Sequence, residues 1–185
     1  QNIVLGYTVD YEAAPQKVIA NTYGSDRCIF TDVLGWQDKR GKWRNHVPCK
    51  AHGMCALPVR DDELDTVDVS GPPCVMFSAA GERLGKYDAR YEVHRVYLDH
   101  KKLRKEAIRV VENVTEYPDE ELDVHFGKDC EFFKARMDPQ LFGFAVSRPR
   151  LYGLVVNKEK AAWDCELSFQ EVLQLLAATH LMEAK

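Results

Sequence analysis

The sequence predicts an α/β protein, a three-layer sandwich with a mostly parallel sheet. Short apolar, strand-like runs alternate with helix-like segments along the chain, and the connections between the runs are long enough for crossovers. The composition is that of a globular domain, with 45% hydrophobic and 29% charged residues among 185. This length predicts one domain with a sizeable core.

Each element has its own local signal. Apolar runs predict strands at 3–9, 28–32, 66–69, 107–114, 130–137 and 150–156. Helices are predicted at 12–23, 89–105 and 118–127 and in a final segment. That last helix begins at a capping box of Ser168 and Glu171, and its predicted apolar face consists of Phe169, Val172, Leu173, Leu176 and Leu181.

One polar stretch interrupts the alternation of strands and helices. Residues 35–62 contain scattered glycines and prolines and are predicted to be an inserted loop. The expected organisation is a core at 1–160 with this insertion, followed by a helical segment of the same domain at 161–185.

Charge and cysteine content narrow the class of protein. The net charge of −4 does not by itself indicate a nucleic-acid partner, but basic clusters at 39–50 and 101–105 are either solvated surface or phosphate-facing patches. No apolar run predicts a membrane span. The six cysteines lack the density of a secreted scaffold, which predicts reduced thiols and an intracellular protein.

Three short motifs lie next to predicted strands, the first two after a strand and the third before one. The first is Gly-Pro-Pro-Cys at 71–74, where two prolines stiffen the backbone before a single thiol. The second is Glu-Asn-Val at 112–114, and the third is Ser-Arg-Pro-Arg at 147–150. Ligands of open α/β sheets bind beyond the carboxyl ends of strands, which is where the first two motifs are expected to lie.

In this order and at these separations, the three motifs resemble those of the DNA (cytosine-5) methyltransferase family, which carries GPPCQxFS, ENV and QxRxR. The resemblance extends from about residue 7 to residue 156. It implies a Rossmann-like core that depends on S-adenosyl-L-methionine, with DNA as the partner, no membrane, and an oligomeric state that the motifs leave open.

The resemblance also implies roles for catalytic residues. Cys74 matches the nucleophile that adds to C6 of cytosine, and Glu112 matches the acid that binds or protonates N3. Arg148 matches the arginine that reaches the cytosine O2. Arg150 is expected to order the site or to contact phosphate.

The family's cofactor-binding residues have counterparts near the start of the chain. Asp10 matches the carboxylate that binds the ribose hydroxyls of the cofactor, and Tyr11 matches the side chain that lies against the adenine. Asp32 matches the aspartate near the adenine amino group. Without the other motifs, Asp10 would be interpreted as a helix N-cap and Asp32 as a turn initiator.

The chain departs from the family pattern in several places. Val75 and Val146 stand where the family has glutamines, the glycine-rich FxGxG cofactor loop is not found, and nothing after about residue 160 resembles a target recognition region. The sequence therefore predicts a core segment that is incomplete at both ends. A tRNA methyltransferase and a non-catalytic remnant with a nucleic-acid-binding or regulatory role stay open as alternatives.

Residues 35–62 also contain a possible metal site. The segment contains His46, Cys49, His52 and Cys55 at three-residue steps, all of types that bind zinc. Zinc sites usually join two ligand pairs across a dozen or more residues, and four ligands so close in sequence would strain the chain. The expectation is therefore no metal.

Overall fold

The computed structural model describes residues 6–24, 26–58, 66–78, 81–118 and 120–183, with side chains to residue 180. The chain divides into two compact units, residues 1–59 and residues 60–185. Each unit has its own four-stranded sheet. The α/β class is confirmed.

Unit 1 combines one helix with a mixed sheet. Strand β1 (Thr8–Val9) is followed by helix α1 (Ala13–Tyr23) and by β2 (Ile29–Phe30), which pairs with β1 in parallel. A short 3₁₀ turn at Val33–Trp36 leads to a hairpin of β3 (His46–Cys49) and β4 (Gly53–Ala56). The predicted strand over 3–9 lies partly outside the described residues.

The hairpin replaces much of the inserted loop predicted at 35–62. In β3 the side chains alternate between exposed and buried, with Val47 and Cys49 inside, which is the period-2 pattern of a half-buried strand. Pro48 obscured this pattern because proline usually disfavours a strand. The hairpin turn ends at Gly53, whose φ of +75° suits a residue without a Cβ.

Unit 2 contains the remaining elements. These are β5 (Val67–Ser70), α2 (Tyr91–Arg104), β6 (Ile108–Asn113), α3 (Glu120–Phe126), β7 (Cys130–Met137), β8 (Arg150–Asn157) and α4 (Phe169–Glu183). The strand order is β5-β6-β8-β7. Short 3₁₀ turns precede α2, follow α3 and lie between β7 and β8.

The prediction of a mostly parallel sheet is wrong for both units. Among the described strands, β5 and β6 are parallel, whereas β8 runs antiparallel to both of its neighbours. The connection from β7 to β8 has only a 3₁₀ turn at Pro139–Phe142 and no crossover helix, so β8 returns beside β7 in the opposite direction. Within the described part of unit 1, β1 and β2 are the only parallel pair of strands.

Helices and aromatic side chains cover both faces of the unit 2 sheet. On one face, Phe132 and Val155 pack in the main core with Met76, Leu98 and Leu122. On the other face, Phe133 contacts Trp163, which in turn contacts Phe169 at the start of α4. Unit 2 is therefore a three-layer arrangement of helices, sheet and helix.

Helix α4 begins as predicted and buries a different face. The Ser168 hydroxyl donates to Glu171 Oε2 at 2.6 Å, and the backbone N–H of Glu171 donates to Ser168 Oγ, so the capping box is confirmed. Leu176 was predicted to face the core but is 55% exposed, whereas Ala177 is buried. The side chain of Leu181 lies outside the described residues.

The basic cluster at 101–105 is partly a structural feature. The Lys101 side chain is buried, and its Nζ lies 2.5 Å from Asp68 Oδ1 and 3.7 Å from Glu106 Oε1. Glu106 also pairs with Arg104 and with Arg109. These ion pairs connect α2 to β5 and to β6, so part of this charge is directed into the protein and away from any phosphate.

None of the helices in the described part of the chain is both long and apolar enough to cross a membrane.

Candidate active site

The Gly-Pro-Pro-Cys segment leaves the carboxyl end of β5 and is fixed at both of its ends. Before the thiol, the buried side chain of Asn113 donates from Nδ2 to the carbonyl oxygen of Pro72 at 3.2 Å. After the thiol, Met76 and Phe77 are buried in the core of unit 2. Cys74 itself is only partly buried, so it lies between two anchored positions and within reach of solvent.

The Glu-Asn-Val motif ends β6, the strand next to β5. Because the two strands are parallel and Ser70 pairs with Val111, the motif lies beside the segment that contains Cys74. A Cβ on Gly71 would meet Glu112 Oε2 at 3.1 Å, so the Glu112 carboxylate lies directly against the start of this loop. The absence of a side chain at Gly71 makes this approach possible.

Arg150 joins this group from β8. Its Nε lies 2.9 Å from Glu112 Oε1, and its Nη1 donates to the carbonyl oxygen of Pro149 at 2.8 Å. Glu112 pairs in register with Tyr152, so Arg150 is its diagonal neighbour on the same face of the sheet. This geometry fits the ordering role expected of Arg150.

Arg148 lies two residues before β8 in an exposed segment. Asp138 holds this segment, because its Oδ1 accepts from the backbone N–H of Arg148 at 3.2 Å and its Oδ2 accepts from the hydroxyl of Ser147 at 2.7 Å. Hydrogen bonds from the Gln140 backbone and from Ser147 keep the pKa of Asp138 below its usual value. The described contacts of Arg148 are those of its backbone.

Sequence reasoning missed two of these supporting residues. Asn113 lies in the Glu-Asn-Val motif, but the motif did not predict its hydrogen bond to the loop of Cys74. A buried amide needs hydrogen-bond partners, and this requirement could have indicated the bond. The Asp-Pro pair at 138–139 is a typical start for a short helical turn, and the Asp138 side chain accepts from Gln140 N at 3.1 Å.

The residues predicted to bind the cofactor all lie in unit 1. Asp10 directly follows β1, and its backbone N–H donates to the carbonyl oxygen of Phe30 in β2. Asp32 follows β2, so both carboxylates lie at the carboxyl edge of the same parallel strand pair. Tyr11 is 79% exposed, which leaves its ring available for stacking.

Both carboxylates also have local structural roles. Oδ1 of Asp10 accepts from the backbone N–H of Glu12 at 2.8 Å, and Oδ1 of Asp32 accepts from that of Leu34 at 2.9 Å. Asp32 caps the 3₁₀ turn at Val33–Trp36, so its reading as a turn initiator is confirmed. The reading of Asp10 as a helix N-cap is wrong, because the N-cap of α1 is Glu12 and Asp10 forms only a local turn before it. Because a carboxylate has two oxygens and several acceptor positions, capping is compatible with ligand binding.

Unit 1 also brings together four side chains that can bind a metal. Their donor atoms all lie within 4.8 Å of one another, and the residues, hereafter the Cys3His cluster, are Cys28, Cys49, His52 and Cys55. Cys49, His52 and Cys55 belong to the four residues that the sequence suggested as ligands. The fourth member of the cluster is Cys28 and not His46. The strain expected from four ligands within ten residues does not arise, because Cys28 lies far upstream of the other three.

Comparison with solved structures reveals the class of fold. Three methyltransferases of known structure share the fold of this chain, and the chain spans less than half of the length of each. No protein-family model and no curated protein matches the sequence.

The three structures resemble the chain as follows. The S. pombe Dnmt2 methyltransferase has a TM-score of 0.54 at 16% identity, over 86% of this chain and 44% of that chain. A DNMT2 triple mutant from Spodoptera frugiperda has a TM-score of 0.57 at 14% identity, over 90% and 46%. The Entamoeba histolytica methyltransferase EhMeth has a TM-score of 0.60 at 13% identity, over 89% and 47%.

Proposed function

We propose that this chain is core sequence of a DNA (cytosine-5) methyltransferase that transfers a methyl group from S-adenosyl-L-methionine to C5 of cytosine through a covalent adduct on Cys74. The observation that carries the proposal is the pairing of β5 with β6, which sets the loop containing Cys74 against the carboxylate of Glu112. The methyltransferase fold of the solved structures supports it independently.

Each residue has a defined task in this reaction. The Cys74 thiolate adds to C6 of cytosine, which makes C5 an enamine carbon able to attack a methyl group. Glu112 stabilises the ring by hydrogen-bonding to N3 or protonating it, and Arg148 binds O2 through its planar guanidinium. Solvent water then accepts the C5 proton, and elimination of the thiolate restores the aromatic ring and frees Cys74, with any proton on N3 returning to Glu112.

Arg150 acts as a positioning residue. Its ion pair with Glu112 at 2.9 Å directs the carboxylate, while the bond between Asn113 and Pro72 fixes the backbone before Cys74. The target cytosine has to leave its helical stack to enter such a site, which costs a few kcal/mol in a duplex.

The residues of unit 1 fit the adenosine half of the cofactor. Asp10 would accept from the ribose hydroxyls, Tyr11 would stack on the adenine, and Asp32 would accept from its amino group. When bound, S-adenosyl-L-methionine supplies an electrophilic methyl group on a sulfonium. We further propose that the protein is intracellular, nuclear if eukaryotic, with DNA as its partner.

A trapping experiment tests the proposal. The natural protein containing this chain is incubated with S-adenosyl-L-methionine and a DNA oligonucleotide in which 5-fluorocytosine replaces the target base. Fluorine at C5 cannot leave as a proton does, so the enzyme stays attached after methyl transfer. We expect a covalent adduct that mass spectrometry maps to the peptide containing Cys74.

Matched variants separate the nucleophile from the other thiols. Cys74→Ser should abolish the adduct, whereas Cys130→Ser, a partly buried cysteine of the same unit, should leave it intact. Glu112→Gln should slow adduct formation without preventing DNA binding. An adduct formed only with a fluorinated tRNA would reassign the substrate, and no adduct with either nucleic acid would favour a non-catalytic remnant.

A further inference from the structure

The Cys3His cluster has the spacing of a tetrahedral metal centre. Nδ1 of His52 lies 3.7 Å from the Cys28 sulfur, 3.6 Å from that of Cys49 and 3.3 Å from that of Cys55. The sulfurs of Cys28 and Cys55 are 3.6 Å apart. All four donor atoms therefore surround one small volume.

These distances match zinc. With Zn–S bonds of about 2.3 Å and Zn–N bonds of about 2.0–2.1 Å, tetrahedral angles give about 3.8 Å between sulfurs and about 3.6 Å between sulfur and nitrogen. We propose that the Cys3His cluster binds one structural zinc ion that stabilises the fold of unit 1. The site goes beyond the methyltransferase function and does not depend on it.

The backbone brings the ligands together from three strands. Cys28 directly precedes β2, and the register pairs Phe30 in β2 with Cys49 at the end of β3. The backbone N–H of Lys50 donates to the carbonyl oxygen of Ile29 at 2.9 Å, which fixes the hairpin turn beside β2. His52 lies in that turn, and Cys55 follows it in β4.

A disulfide explains the cluster less well. Two bonded sulfurs lie about 2.05 Å apart, much closer than the 3.6 Å between Cys28 and Cys55. A disulfide would also use only two of the four groups and would not account for the nearby third thiol and imidazole. Zinc uses all four donors, and its charge offsets that of adjacent thiolates, which repel one another without a cation.

Four protein ligands leave no open position for water or substrate, so the site is structural. The main buried core of unit 1 is small and consists of Phe30, Trp36, Val47, Cys49 and Leu57. Units of this size commonly need a metal or a disulfide in addition to their core. Because β2 leads directly into Asp32, zinc would also fix the edge of the sheet that carries the proposed cofactor residues.

Metal analysis tests the site directly. The 185-residue chain is expressed in zinc-supplemented medium, passed over a chelating resin and analysed for bound metals. We expect about one zinc per chain. The X-ray absorption spectrum of this zinc should fit three sulfurs and one nitrogen, a result that requires no variant to fold.

A matched pair of variants assigns the ligands. Cys55→Ser should lose most of the zinc, whereas His46→Asn should retain it, because His46 lies on the same hairpin but outside the cluster. Absence of zinc from the wild-type chain, a coordination shell without sulfur, equal loss from both variants, or a disulfide between Cys28 and Cys55 would each overturn the proposal.

Discussion

At the scale of single residues, Asn113 connects the two motifs of the proposed active site. Its amide donates to Pro72 O and accepts from Val114 N at 2.9 Å, and the residue is almost fully buried. Asn113→Ala leaves the buried Pro72 carbonyl without this donor, and we expect unit 2 to lose about 1–3 kcal/mol of unfolding free energy.

Urea titration of the variant and the wild-type chain measures this difference. The exposed Asn45 is a suitable control, and Asn45→Ala should change stability by less than about 0.5 kcal/mol. If Asn113→Ala is as mild as the control, the amide does not hold the loop.

A second single residue, His94, should make the stability of the protein depend on pH. Burial lowers its pKa from 6.5 to about 4, and its Nε2 lies 3.1 Å from the Tyr117 hydroxyl. Because the folded pKa is depressed, the contribution to stability is present above about pH 6.5 and is lost as the pH falls toward about 4. The loss across that window is roughly 3 kcal/mol.

The contribution of His94 is measured by comparing the wild-type chain with histidine variants. Unfolding free energies measured by denaturant between pH 7.5 and 4.5 should fall more steeply for the wild-type chain than for His94→Gln. His180→Gln changes an exposed histidine and should keep the wild-type slope. Parallel curves for wild type and His94→Gln would contradict the assignment.

At the scale of elements, Gly153 leaves the space in which side chains pack between the sheet of unit 2 and α3. A Cβ at this position in β8 would meet Cε2 of Phe132 at 2.8 Å and Cδ1 of Leu122 at 3.5 Å. Gly153→Ala therefore overfills the layer between the sheet and α3, and we expect a destabilisation of about 1–3 kcal/mol.

Thermal or urea unfolding provides the measurement. Gly127 is the matched control, because no heavy atom lies within 4 Å of a Cβ built there. Gly127→Ala should stay within about 0.5 kcal/mol of the wild type. Equal stability of the two variants would show that Phe132 and Leu122 move aside freely.

The elements also show what the sequence could predict. The strand predicted at 130–137 and the capping box at Ser168 are correct because their signals are local, namely an apolar run and a side chain within hydrogen-bonding reach. The hairpin in 35–62 was missed because Pro48 hides its alternation. Strand direction was predicted wrongly because it depends on connections that periodicity does not report.

Some residues of the candidate sites could be predicted from local motifs, whereas others could not. Glu112 and Cys74 were found through motifs, and the pairing of β5 with β6 brings their segments together. Cys28 was not assigned to the metal cluster because its partners lie more than 20 residues away on another strand, a relation that exists only in the folded sheet.

At the scale of the whole molecule, the two units should respond differently to metal removal. If zinc closes unit 1, a chelator removes folding free energy from that unit alone. We expect amide hydrogen exchange to accelerate in peptides covering 28–57, while peptides from β6 and β8 keep their protection. Uniform acceleration across both units, or none in 28–57, would contradict the expectation.

The order of the strands in unit 2 has a consequence for the time course of folding. Strands β7 and β8 are joined by 12 residues and can pair early, whereas β5 must wait for α2 and a connection of more than 30 residues before it meets β6. Pulse-labelling during refolding should therefore protect β7 and β8 before β5. Since the bond from Asn113 to Pro72 forms only once β5 lies beside β6, the segment of Cys74, the proposed nucleophile, would reach its final position last in a nascent or refolding chain.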